Sequence, residues 1–165
     1  MPQLIKDGEI VDDAWQWIEE ELDDGTVHSG QTILPMKTWL SLTDNSTANN
    51  DRLAVWIAGD TDLSEIGQRL SRAPLIAVRF PGFMDGRGFS TGRLLRERYQ
   101  FDRELRAVGH IIRDQLCYLR RCGFNAFQLQ DGMDLQTALA SLNDFQEYYQ
   151  SSVDQPLPLF RRRTL

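Results

Sequence analysis

The sequence predicts a single α/β domain of about five mainly parallel strands alternating with helices, laid out as an open sheet or a half-barrel-like arc. Three observations predict it. From residue 53 onward, short apolar runs alternate with helical apolar stripes every 20 to 25 residues, and parallel neighbours need a connection of that length, which a helix supplies. The 165 residues hold one ordinary core and fall short of the ~250 of a full eight-fold barrel. With 41% hydrophobic and 25% charged residues, the composition is globular.

Residues 1–52 read as an acidic segment packed on the same domain, with nine Asp or Glu in the first 24 positions. Ala14, Trp15, Ile18 and Leu22 have helical spacing, and Asp23-Asp24-Gly25 is turn-like. Thr32 to Leu42, apolar around Pro35 and Trp39, suits an irregular or edge strand. Residues 43–51 are a polar loop with nothing to bury, the expected site of a flexible insertion.

The core units occupy 53–150. Leu53 to Ile57 suits a buried strand, followed by Gly59-Asp60 and a helix bearing Leu63, Ile66 and Leu70, with Asp62 and Glu65 as a cap pair. Leu75 to Phe80 is the second strand. After the Pro81–Phe89 loop, the Ser90 hydroxyl is placed to cap a helix that carries Leu94 and Leu95. Leu105 to Gly109 is the third, followed by a helix near 111–122 that buries Ile112, Leu116 and Leu119 and stops at Gly123. Phe127 to Leu129 is another strand, and a final helix runs from Asp134 to Tyr149. Residues 151–165 form a tail in which Pro156 ends regular structure and Arg161, Arg162 and Arg163 fray.

In open α/β sheets ligands bind beyond the carboxyl ends of the strands, which nominates Gly59-Asp60, Pro81–Ser90, Gly109-His110 and Gln130-Asp131. Charge adds to this. The net charge of −6 divides into −9 over residues 1–78, +5 over 79–124 and −2 over 125–165, and all ten bases of the middle block are arginine. Arginine forks pair with carboxylates and oxyanions, so the block either pairs with the acidic first half or lines an anion site.

The run Phe80 to Arg93 crowds four glycines between a strand and a helix. Gly86 and Gly88 allow close backbone approach, and Asp85, Arg87, Ser90 and Thr91 add polar groups near a helix start, a design suited to phosphate, sulfate, sulfite or a carboxylate. The alternative is a tight strand-to-helix turn with an ordinary Ser cap and a structural Asp85. The spacing Gly86-x-Gly88-x-x-x-Gly92 echoes a dinucleotide fingerprint, but the extra residue, the Arg between glycines and the missing downstream acid argue against a nicotinamide or flavin. Arg106 on a strand, with His110 and Asp114 four apart at a helix head, forms a second cluster in which a His–carboxylate pair is a candidate general base and Arg106 an anion anchor. The alternative is a surface or capping His.

Several function classes are excluded. A pI near 4.9 lacks the basic footprint that nucleic acid requires. No run approaches a membrane span, and the N-terminus lacks the pattern of a secretory signal, which points to the cytoplasm. Cys117 and Cys122, five apart, fall on different faces of a helix and have no companion ligands, so they read as reduced thiols and no metal centre is expected.

The runs Leu75 to Pro81, Asp85-Gly86-Arg87-Gly88-Phe89-Ser90, Leu94-Leu95-Arg96, Glu104 to Gly109, Asp114-Gln115-Leu116, Arg121-Cys122-Gly123-Phe124 and Tyr149-Gln150, together with Trp15 and Trp39, resemble a family of small bacterial proteins of unknown function described as oxidoreductases of sulfite reduction. The resemblance implies a cytoplasmic role in sulfate assimilation and cysteine biosynthesis. It also implies partners among sulfite reductase and other sulfate-assimilation enzymes while naming no cofactor, and the strongly acidic first half is the face expected to dock them. His110 stands where that family usually has an acid. The alternative is a small α/β enzyme acting on a phosphate-, sulfate- or sulfite-bearing substrate.

Overall fold

The computed structural model describes residues 2–20, 30–44, 51–145 and 147–162. Chain order runs β1 (Gln3–Lys6), β2 (Glu9–Asp12), β3 (Gln16–Trp17), β4 (Thr32–Pro35), α1 (Met36–Asp44), β5 (Leu53–Ala58), α2 (Gly67–Leu70), β6 (Leu75–Phe80), α3 (Arg87–Glu97) and β7 (Glu104–Gly109). A short 3-10 turn at Arg113–Gln115 then leads into α4 (Leu116–Arg121), β8 (Ala126–Phe127), α5 (Leu135–Ser141) and α6 (Leu159–Arg162).

All eight strands share one sheet in the order β2-β1-β8-β7-β6-β5-β4-β3. From β3 to β8 each strand lies parallel beside the next, while β1 is antiparallel to both β2 and β8. Sequential parallel order with right-handed crossovers keeps the helices on one face and bends the sheet, giving an open, curled half-barrel. How far it bends follows from the connection. The two outermost strands, β2 and β3, are joined by only Asp13, Ala14 and Trp15, which can span at most ~14 Å, whereas a flat sheet of this size would separate them by ~34 Å.

Alternation along the strands divides the side chains between two faces. Leu53, Val55, Ile57, Ile76, Val78, Phe80, Leu105, Ala107 and Phe127 point to the helices and form the main core. Ile33, Ala54, Leu75, Ala77 and Val108 form a smaller cluster on the concave face, covered by Trp15, Trp17 and Trp56.

Five expectations need correction. The strand count exceeds five because residues 3–17 form β1, β2 and β3 instead of a helical stripe; Asp7 and Gly8, at φ 51 and 83, make the tight hairpin turn between the first two. Of the expected strand Thr32 to Leu42, only Thr32–Pro35 is a strand, and it is interior, not an edge, because Gln16–Trp17 pairs with it and Pro35 occupies its last position; from Met36 the chain is helix α1. The helix after β5 starts at Gly67, and Asp62 instead accepts from the Ser64 N–H at 2.9 Å, closing a turn. The last core helix stops at Ser141, and Phe145 and Tyr149 are exposed. The tail also contains a short helix, α6, whose Arg162 pairs with Glu147 at 3.1 Å. Leu22, the Asp23–Gly25 turn, Arg163 and most of the polar loop lie outside the described residues.

Candidate functional site

The carboxyl ends of β5, β6, β7 and β8 form a rim, and the loop after β6 is its most elaborate part. Arg87 donates to Asp85 from Nε at 2.9 Å and from Nη2 at 2.6 Å, and its Nη1 reaches Asp60 at 2.7 Å. These contacts, the Arg87 side chain first and its backbone N–H second, hold the Asp85 carboxyl down at about 2. The same carboxylates raise the Arg87 guanidinium further above its ordinary range. The clamp ties the β6 loop to the Gly59-Asp60 turn after β5.

The helix begins at Arg87, with Gly86 as its cap and no side-chain cap bond, so Ser90 does not cap it but sits exposed a turn inside. Gly86 has φ −88, outside the left-handed region. Gly88 serves close packing, since a Cβ there would meet the Phe80 ring at 2.6 Å. Thr91 is buried and donates to the Gly59 carbonyl at 2.7 Å. Asp85, Gly86, Arg87, Gly88 and Thr91 therefore come together as a structural joint at the rim. The loop's outward-facing residues are Phe83, 58% exposed, and Met84, 90% exposed.

The second predicted cluster is dispersed. His110 is exposed beyond the end of β7, its N–H donating to the Phe80 carbonyl at 2.8 Å. Regular helix starts later, at the Arg113–Gln115 turn, so His110 and Asp114 do not share a helical face, and Asp114 faces Arg113 at 3.3 Å. Arg106 lies far from the rim loop in character: its side chain is 2% exposed inside the curl, paired with Asp13 at 2.8 Å and Glu104 at 2.7 Å, and Lys6 also reaches Glu104 at 2.8 Å.

Cys117 and Cys122 are free and buried. The Cys117 thiol contacts the Tyr148 hydroxyl, and desolvation, followed by that contact, pushes Tyr148 up to about 12. Burial likewise pushes the Cys122 thiol up, away from reactive thiolate. Among the described residues, no cluster of His, Cys, Asp and Glu could hold a metal ion.

Sequence reasoning missed one site residue. Arg79 sits one position before the end of β6, on the concave face, and opens a cavity of about 200 Å³ lined by Trp17, Glu19, Arg79, Val108, Gly109 and Gln128. Its guanidinium lies over the Trp56 ring, 5.6 Å from the centroid, and pairs with Glu19. Trp56 stacks on Trp17 at 5.5 Å, and the Trp17 indole donates to Glu19 at 2.8 Å. Those two bonds, the indole's first, hold the Glu19 carboxyl below its usual range. The signal was present: a charge near the end of the apolar run Leu75 to Phe80 has an inward position by alternation.

The architecture is thus that of a half-barrel α/β protein with a clamped loop and an arginine-bearing mouth at the carboxyl ends of its strands. The family model for a bacterial protein of unknown function, DUF934, matches residues 54–160, more than half of the chain, and the chain belongs to that family. No curated protein and no solved structure matches it. Among the described residues, no helix is long and apolar enough to cross a membrane.

Proposed function

We propose that the chain is an accessory protein of assimilatory sulfite and sulfate reduction, acting in cysteine biosynthesis by docking sulfite reductase or another sulfate-assimilation enzyme at its carboxyl rim. The observation that carries the docking is the pair Phe83 and Met84, held out to solvent by a loop whose base is clamped by Asp85, Arg87 and Asp60. Two large apolar side chains on a fixed loop suit a partner's pocket, since the ordering cost is met before contact. The resemblance of the Asp85–Ser90 run supports the sulfur assignment.

Burying each side chain is worth about 1.5–3 kcal/mol, so Phe83→Ser with Met84→Ser should weaken docking on the order of 100-fold or more. The test is retention of identified sulfate-assimilation enzymes on immobilised protein, wild type against double variant, with the thermal midpoint as folding control. Loss of the partner at an unchanged midpoint is expected. Equal retention by both proteins would overturn the reading.

The alternative, a small enzyme acting on a phosphate-, sulfate- or sulfite-bearing substrate, is favoured by a different observation, the Arg79 mouth. A coloured, stoichiometric cofactor in protein purified from its own host, with no retained partner, would promote it.

A further inference from the structure

We infer that the mouth of the curled sheet is a binding site for a compact oxyanion, with Arg79 as its anchor and Glu19 as an internal stand-in that the ligand displaces. This stands apart from the docking reading, which uses Phe83 and Met84.

The mouth supplies the chemistry. Among the described residues, Arg79 makes its one ion pair with Glu19 through Nη1, and its planar face rests on Trp56. The contact over Trp56 and the pair with Glu19 hold the guanidinium at the cavity wall, and an arginine fork can take two oxygens at once. Gln128 and Gly109 also line the cavity. Gly109 has no substitute, because its φ is +93 and a Cβ would fall 2.4 Å from the Phe80 carbonyl.

Size narrows the ligand. A cavity of about 200 Å³ lies below the ~300–1,000 Å³ usual for cofactor-sized molecules. Sulfite, sulfate, phosphate or a short carboxylate matches that volume. Glu19 already shows what the site accepts: its carboxylate sits between the Arg79 guanidinium and the Trp17 indole N–H. Arg79 and Glu19 side chains are 42% and 55% exposed, and pairs so exposed are weakly held, which allows an external anion to compete.

The stacked indoles report on the exchange. Titrating the full chain with sulfite, sulfate, phosphate and acetate separately, at constant ionic strength, should give a saturable change in tryptophan fluorescence for the preferred anion, matched by calorimetry. The ranking of the four distinguishes sulfur, phosphorus and carboxylate sources. Arg79→Gln should weaken binding by about 10- to 150-fold, the loss of one charge-assisted contact. Glu19→Gln, which removes the competitor but keeps the shape, should tighten it several-fold. Arg79 lies at a strand end and is partly exposed, so circular dichroism of its variant should match wild type. The proposal is overturned if no anion gives a saturable response, if Arg79→Gln binds as wild type does, or if Glu19→Gln weakens binding instead.

Discussion

Arg106 and Arg79 occupy the concave face of neighbouring parallel strands, β7 and β6, yet they meet opposite surroundings. Arg106 is enclosed by Asp13, Glu104 and the sheet itself, with 2% of its side chain exposed, whereas Arg79 stands at the mouth with 42% exposed. The difference comes from depth along the strand. Position three of β7 falls within the curl, where the Asp13–Trp15 connection crosses from one edge of the sheet to the other. Position five of β6 falls where the curl opens. The same guanidinium is a structural tie in one place and a binding group in the other, and residue type alone does not separate them.

The largest effect should come from breaking the tie. Arg106→Met leaves two buried carboxylates, Asp13 and Glu104, without their shared partner, although Lys6 still reaches Glu104 at 2.8 Å. Breaking a buried pair from one side costs about 3–5 kcal/mol. Denaturant unfolding should show a loss of this size. Arg79→Gln removes an exposed pair and the contact over Trp56, and should change stability by about 1 kcal/mol.

Next comes the joint that holds the rim loop. A methyl group added at Gly92 would meet the buried Phe124 ring at 2.3 Å, so Gly92→Ala should push α3 off the segment between α4 and β8 that carries Phe124 and cost about 1–3 kcal/mol. Partner retention should fall as well, because α3 anchors the loop bearing Phe83 and Met84. An unchanged midpoint in thermal unfolding would show that α3 does not pack tightly on Phe124 at this point.

The smallest effect is pH-dependent. Asp85 titrates near 2 when folded and near ~3.9 in an unfolded chain, so its contribution is present above the unfolded value and is lost as pH falls through the folded one. The stability gap between wild type and Asp85→Asn should therefore be level above about pH 5 and shrink as pH falls from there toward the folded value. A gap that stayed level through that range would mean that Arg87 does not hold the Asp85 carboxylate.

The parallel half of this fold was legible because its strands are apolar runs bounded by turns. Leu53–Ala58, Leu75–Phe80 and Glu104–Gly109 agree with expectation to within a residue at each end. The N-terminal strands were harder to see. The two ends of β2 are the exposed Glu9 and Asp12, and burial comes from partners distant in sequence, so an acidic stretch concealed β1 and β2. The Asp7-Gly8 pair between Leu4-Ile5 and Ile10-Val11 was a readable hairpin signal. For the site, the glycines and arginine of the Gly86–Arg87 loop drew attention because they are conspicuous together, while Arg79 looked like part of a strand. Only the curl of the sheet distinguishes an arginine enclosed by its own carboxylates from one at an open mouth.

The central claim is that these two arginines divide structure from binding, and anion-induced stabilisation measures it directly. Unfolding midpoints should be recorded for wild type and Arg79→Gln with and without a saturating concentration of the anion that binds best. A ligand that binds only the folded state raises stability by mass action. The account predicts that the two proteins differ by about 1 kcal/mol without anion and that only wild type gains stability when it is added. Equal stabilisation of both would contradict it, and so would a large loss of stability in Arg79→Gln without ligand.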